Sequence, residues 1–241
     1  MPAVFVHGVP DTHRLWDPVR AHLARRDIVA VSLPGFDAPV PAGFTATKEA
    51  YASWLEGEIG RLGAPVDLVG HDWGSLLVQR LVSVRPDLVR TFACGSGPVD
   101  VDYVWHDLAQ QWQTPEVGEA VMAAMTPEAL AEGLPTAGVP PAAAAEAARH
   151  VDARMKDCIL RLYRSAVHVG AEWQPDVERV TRPGLILWGE TDPYVTTHFA
   201  ERLAARVHGE LVVFPGCGHW WPLERPAEVA TVLERFWAAA R

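Results

Sequence analysis

The sequence predicts an α/β fold in which a mostly parallel sheet, flanked by helices, is interrupted once by a helical insertion. Three observations predict it. Short apolar runs alternate with longer helix-like segments, the pattern of a parallel sheet covered on both faces. A Gly-x-Asp-x-Gly turn at 70–74 stands between a strand-like run and a helix-like one. The alternation then stops from 98 to 180, a stretch with no clear strand and an alanine-rich run at 140–148.

Taken in order, the strand candidates are 3–6, 28–33, 66–69, 91–94, 184–188 and 210–214. Each is short and apolar, as strands buried on both faces are. The helix candidates between them are 12–25, 47–62, 74–84, 198–206 and 226–239. In the third of these, Leu76, Leu77, Arg80, Leu81 and Val84 recur at helical spacing, which puts three leucines and a valine on one face. The expected division is a core of 1–97 and 181–241 with a helical cap of 98–180. Folded over the carboxyl edge of the sheet, such a cap would close a buried site together with the loops below it. The alanine run is good helix sequence, and the chain has no internal repeat.

A chain of 241 residues, about half of them apolar, suits one domain with a sizeable core. The net charge of −9 argues against nucleic acid or anionic membrane as the main partner, and does not itself identify a substrate. The first residues carry no basic segment and too short an apolar run for a signal peptide. No stretch approaches the ~18 apolar residues of a membrane span. Cys94, Cys158 and Cys217 are few, odd in number and unclustered, so neither a disulfide framework nor a zinc site is suggested. The expectation is a cytoplasmic, reduced protein with no cofactor and no metal.

Gly70-His71-Asp72-Trp73-Gly74 has the form of a nucleophile elbow, a sharp turn that holds its middle residue exposed near a helix N-terminus. Taken alone, the turn could equally be a helix start capped by Asp72. Two other segments decide between these. Asp192 follows the strand ending at Trp188, and His219 follows the last strand, so nucleophile, acid and histidine come in that order, each past a strand's carboxyl end. Glu190 and Asp100 are alternatives for the acid. At the start, His7-Gly8-Val9-Pro10 follows the first strand; the N–H groups of Val9 and Trp73 would form an oxyanion hole there, with His7 a structural hydrogen-bonding residue.

Together these segments resemble the α/β-hydrolase fold family, in particular the members with an aspartate nucleophile, the epoxide hydrolases and haloalkane dehalogenases. The resemblance covers nearly the whole chain. It departs from the family where the chain begins almost at the first strand, without the N-terminal hairpin most relatives carry. The strand at 28–33 is then expected at a bare sheet edge, where a second subunit could pair to give a homodimer.

A carboxylate is ionised at neutral pH without help from a base, its pKa being near 3.9. Asp72 therefore suits displacement at saturated carbon, forming an alkyl ester of its own side chain. His219, oriented by Asp192, would then activate the water that hydrolyses this ester. Ser75, one residue past the closing glycine, is discounted as nucleophile.

The leaving group is the open choice. An epoxide leaves as an alkoxide and needs a proton donor; a halide needs weakly hydrated donors such as indole N–H groups. Tyr163-Arg164 resembles the epoxide-hydrolase segment that carries a ring-opening tyrosine, and the segment 111–116 resembles the family's early cap, whose second tyrosine would fall at Gln111. Tyr103 could substitute for it; a single tyrosine, or Tyr163 together with Gln111, is the expected arrangement. For the dehalogenase reading, Trp73 follows the nucleophile, and Trp105 or Trp112 could supply a second donor. Of the 10 tryptophans most must be core, and Trp16, Trp54, Trp188 and Trp237 stand where packing is the default. His106, His150 and His168 show no metal-ligand spacing and receive no role. The expected activity is opening of a small, mostly apolar epoxide, with haloalkane dehalogenation and a non-catalytic binding or sensing role as rivals.

Overall fold

The computed structural model describes residues 1–63 and 65–240. Six strands form one sheet: β1 (Ala3–Val6), β2 (Ile28–Val31), β3 (Val66–His71), β4 (Val89–Gly95), β5 (Gly184–Gly189) and β6 (Glu210–Phe214). All are parallel, in the order β2-β1-β3-β4-β5-β6. Every strand expected from the apolar runs forms, and the shifted ends have local causes. The second stops at Val31 because the Leu33 N–H donates to His7 Nε2 at 3.0 Å rather than to a neighbouring strand, and Pro34 has no N–H to give. The third runs on to His71, delivering the chain directly into Asp72. As expected, β2 is an edge strand, paired on one side and only partly buried.

Twelve α-helices are found among the described residues. Strand side chains alternate between the two faces. Val4, Val6, Leu68, Phe92, Ile186 and Trp188 pack against α2 (Lys48–Gly60), α3 (Trp73–Val84) and α10 (Thr197–Val207). Ala3, Phe5, Val69, Ala93, Leu185 and Leu187 pack against α1 (Asp17–His22), α11 (Trp221–Glu224) and α12 (Pro226–Ala239). Trp16 is fully buried edge-on to Phe5, ring centroids 5.0 Å apart. Burying side chains of this size stabilises by about 1.5–3 kcal/mol each.

The helical face predicted for α3 is only partly right. Leu76, Leu77 and Leu81 are buried, but Val84 is 40% exposed because the helix ends there. Val78, Gln79 and Val82 are buried as well, since this helix is covered by neighbours beyond the sheet.

Six helices lie between β4 and β5: α4 (Asp107–Gln113), α5 (Val117–Ala124), α6 (Pro127–Gly133), α7 (Pro141–Ala148), α8 (Ala153–Ser165) and α9 (Val169–Val177). Polar ties fix them to each other and to the sheet layer. Arg80 of α3 donates to Asp176 of α9 at 2.6 Å. Lys48, at the start of α2, donates through its N–H to Ser165 Oγ and through Nζ to the Ser165 carbonyl. Arg164 of α8 holds Glu119 of α5 with two bonds of 2.8 and 2.7 Å. Cys94, Cys158 and Cys217 are buried and free. Among the described residues, no helix is long and apolar enough to cross a membrane, and no His, Cys, Asp and Glu side chains gather as a metal site.

Candidate active site

The turn from β3 to α3 places Asp72 at φ 53°, ψ −122°, a backbone state that side-chain-bearing residues rarely adopt. Its glycines are needed for space. A β-carbon at Gly74 would run into the Val6 carbonyl, and one at Gly8 into the Asp72 carboxylate itself. The turn therefore presses the carboxylate against the His7–Pro10 loop, where the Val9–Pro10 peptide is cis.

Asp72 does not cap its helix. Its Oδ1 instead accepts the Val9 N–H at 2.7 Å, and the Trp73 N–H acts on the same carboxyl, lowering its pKa. One carboxylate oxygen is thus held by backbone donors. The other, Oδ2, lies 3.8 Å from His219 Nε2. On the far side of the ring, His219 Nδ1 is 2.8 Å from Asp192 Oδ2. Asp192 is fixed in turn, since its Oδ1 accepts the N–H groups of Tyr194 and Val195 at 2.9 and 3.1 Å. The rival acids are occupied elsewhere. Asp100 pairs with Arg202 and Arg206, and Glu190 accepts the Gly216 N–H. Ser75 is buried and donates its hydroxyl to the Gly97 carbonyl at 2.7 Å, and His7 is spent on Leu33 and Gly8.

The charges are strongly coupled. Burial alone would lower the pKa of His219, but the charge and hydrogen bond of Asp192, then the charges of Asp72 and Asp11, raise it from 6.5 to about 9. Burial raises Asp72 above the usual carboxylate range, against the opposing pull of His219 and the Val9 and Trp73 N–H groups. Asp192 is held low because the charge and hydrogen bond of His219 outweigh its burial. A buried carboxyl unnoticed in the sequence, Asp11, accepts the Trp220 indole N–H at 3.1 Å. Burial and the Asp72 charge push it from 3.8 to about 7.

These shifts set a pH dependence of stability. Asp11 and His219 both bind protons more tightly in the folded chain, so each contributes stability at low pH that is lost as pH rises. The loss runs from 3.8 to about 7 for Asp11 and from 6.5 to about 9 for His219. Asp192 acts with the opposite sign only below its ordinary 3.8. His7, His71 and His106, lowered by burial from 6.5 to about 4, 3 and 4, act with the opposite sign below 6.5. Urea unfolding is therefore expected to show stability falling between pH 7 and 9, and Asp11→Asn gaining stability relative to wild type as pH rises from 5 to 7; a difference between variant and wild type that does not change with pH would contradict the Asp11 assignment.

A cavity of about 110 Å³ opens over Asp72. Val9, Trp73 and His219 form its floor, and Tyr103, Trp105, Trp112 and Tyr163 come over it from the inserted segment. Gln111 does not reach it. Neighbours on a helix point about 100° apart; on α4, Trp112 faces inward and Gln111 is left exposed. The Gln111 expectation is corrected accordingly. The structure adds His106 and Tyr194 to the lining, neither assigned a role from sequence. Tyr194 was within reach of sequence reasoning, two residues past Asp192; His106 carried no signal beyond standing before a helix start.

A family model described as "Alpha/beta hydrolase family" matches residues 3–232. A protein named "Probable oxidoreductase EphD" from Mycobacterium tuberculosis is 39% identical over 121 residues, a match covering 46% of this chain and 20% of that protein's length. Among solved structures, haloalkane dehalogenase DbeA from Bradyrhizobium elkani superposes with a TM-score of 0.80 at 24% identity, over 99% of this chain and 91% of that one. A variant of a "putative epoxide hydrolase" from Pseudomonas aeruginosa gives 0.82 at 25% identity, over 100% and 89%.

Proposed function

The chain belongs to the alpha/beta hydrolase family, and on that premise we propose that it opens a small, mostly apolar epoxide to a diol through an alkyl ester on Asp72. The observation that carries this reading is the division of labour at the Asp72 carboxylate. Oδ1 is bound by the Val9 N–H, while Oδ2 faces His219 and the cavity. A carboxylate set in this way attacks saturated carbon and afterwards presents its own carbonyl to water.

In the first half, Oδ2 forms a bond to one ring carbon as that carbon's bond to the epoxide oxygen breaks. The electron pair passes to the oxygen, which takes the hydroxyl proton of Tyr163. Tyr163 is buried, and burial with the Asp72 charge holds it protonated, as a proton donor must be. In the second half, His219 takes a proton from water, whose oxygen attacks the ester carbonyl carbon. The resulting oxyanion on Oδ1 sits against the Val9 and Trp73 N–H groups. Collapse breaks the bond from the carbonyl carbon to the alkyl oxygen, which takes the remaining proton of the water and leaves as the diol; Asp72 is again a carboxylate, and the proton held by His219 passes back to the Tyr163 oxygen. Ester formation also removes the Asp72 charge that helps hold the His219 pKa up, freeing the imidazole to act as a base when one is needed.

A second reading, haloalkane dehalogenation with the same triad, is favoured by one observation. Among the described residues, the indole N–H groups of Trp73 and Trp112 are buried at the cavity without hydrogen-bond partners, donors that a halide could take. Trp105 is not such a donor, because its N–H goes to the Ala166 carbonyl at 3.2 Å.

Parallel assays with 1,2-epoxyhexane, read as diol, and 1-bromobutane, read as halide, separate the readings. Diol formation is expected, and Tyr163→Phe is expected to slow it by about 10²-fold. Halide release that Tyr163→Phe leaves intact, with no diol, would transfer the assignment to the second reading.

A further inference from the structure

The catalytic cavity shares a wall with a second hollow. A groove of about 200 Å³ runs beside the segment that leaves β4, and Pro98, Tyr103 and Trp105 line both spaces. Beyond that wall the groove is bordered by Val101, Val167 and the first turn of α9. Asp100 borders it too but brings no free charge, its side chain being 1% exposed and paired with Arg202 and Arg206. Val101 and Val167 are 55% and 46% exposed, apolar side chains that an alkyl chain would cover. Within the shared wall, Trp105 belongs to the reacting side: its ring is stacked on Trp73 and edge-on to Tyr163, and its N–H donates to the Ala166 carbonyl. Tyr103 completes the partition. Its ring meets Trp105 and Phe199 edge-on, with centroids 5.4 and 5.3 Å apart, and its hydroxyl donates to the Tyr194 carbonyl at 3.4 Å.

We propose that Tyr103 sets the length of alkyl chain that the enzyme accepts. Its ring closes the cavity against the groove, so short-chain epoxides fit, and longer ones, whose extra methylenes would have to run on into the groove, do not. The inference rests on the epoxide reading above and adds to it the size class of the substrate. Tyr103 is a wall rather than a door because it is held at both ends. A chain that met it would have to break the bond to Tyr194 and pull the ring away from Trp105 and Phe199 together. The same bond engages the hydroxyl proton, so Tyr103 acts on the substrate by its shape and not as an acid. No bond is made or broken at Tyr103, and the ring opening proceeds as before. A wall that meets a single methylene discriminates by about 10–200-fold, which makes chain length a sensitive readout.

The test is the ratio of kcat/KM for 1,2-epoxydecane to that for 1,2-epoxyhexane, read as diol, which does not depend on how much of a preparation is folded. Wild type is expected to favour the shorter epoxide by about 10-fold or more, and Tyr103→Ala to raise the ratio by about 10-fold or more. Tyr103→Phe keeps the ring without the hydroxyl and is expected to leave the ratio within about twofold of wild type. Val167 borders the groove and not the cavity, so adding Val167→Trp to Tyr103→Ala refills the groove and is expected to bring the ratio back toward wild type. A ratio unmoved by Tyr103→Ala overturns the proposal, as does a gain that survives Val167→Trp, since the chain would then run elsewhere. Equal use of both epoxides by wild type also overturns it, the longer chain then leaving on the Leu108 side of the cavity. If wild type forms no diol from either epoxide, the epoxide reading itself fails and takes the proposal with it.

Discussion

Replacing Asp72 with alanine is expected to lower kcat/KM on the order of 10⁴-fold or more, because the other candidate nucleophiles among the described residues are engaged elsewhere. Ser75 points its hydroxyl into the Gly97 carbonyl, and Glu190 and Asp100 are tied to other partners. The conservative variant adds a second, independent expectation. A carboxylate whose pKa is raised by burial costs stability when charged, and Asp72 is so raised. Asp72→Asn keeps an acceptor for the Val9 N–H while removing that charge, so its Tm is expected to be no lower than that of wild type. Loss of turnover without loss of stability separates a functional residue from a structural one, since a buried structural carboxylate takes the fold with it. A variant that loses both would make Asp72 part of the framework. Wild-type turnover in Asp72→Ala would end the covalent reading altogether.

How much of this site could be read from the chain depends on what fixes each residue's position. Asp72, Asp192 and His219 are legible because a parallel sheet aligns the carboxyl ends of its strands. A residue just past such an end is therefore placed by the sheet, whatever the loops do. The sheet faces were not legible: the strands are apolar on both sides, and that Ala3 and Phe5 meet one helix layer and Val4 and Val6 the other shows only in the packing. The inserted helices have no such frame. Whether Gln111 or Trp112 of α4 enters the cavity is a matter of helix rotation, set by packing on α5 and α8, and one residue of spacing reverses the answer. His106 fell to the same ambiguity, a lone histidine without metal spacing that the start of α4 brings to the cavity wall. Asp11 was hidden differently. An aspartate after Pro10 reads as a turn residue until Trp220, brought in from the other end of the chain, buries it.

Substituting His219→Gln is expected to leave the first half-reaction running and slow ester hydrolysis by about 10²–10⁴-fold. The reason is the asymmetry of the two halves. In the proposed reaction Asp72 attacks as an anion and needs no proton removed, whereas water at the ester carbonyl must lose one. Among the described residues, only His219 Nε2 lies by the Asp72 carboxylate with a carboxylate behind it to carry the resulting charge. Glutamine fills the same space without acting as a base. Mixed with 1,2-epoxyhexane, the variant is therefore expected to show one equivalent of substrate consumed and then near silence. Its intact mass should rise by the whole epoxide and map to the peptide containing Asp72. With 1-bromobutane, the gain would instead be the haloalkane less hydrogen bromide. The two outcomes name the leaving group from the mass alone, which product assays on a slow enzyme do less directly. Failure of both substrates to add mass, in a variant whose wild-type parent turns them over, would mean that water attacks the substrate directly. Asp72 would then be a charge in the wall of the site, with its partner His219 activating the water that does the chemistry.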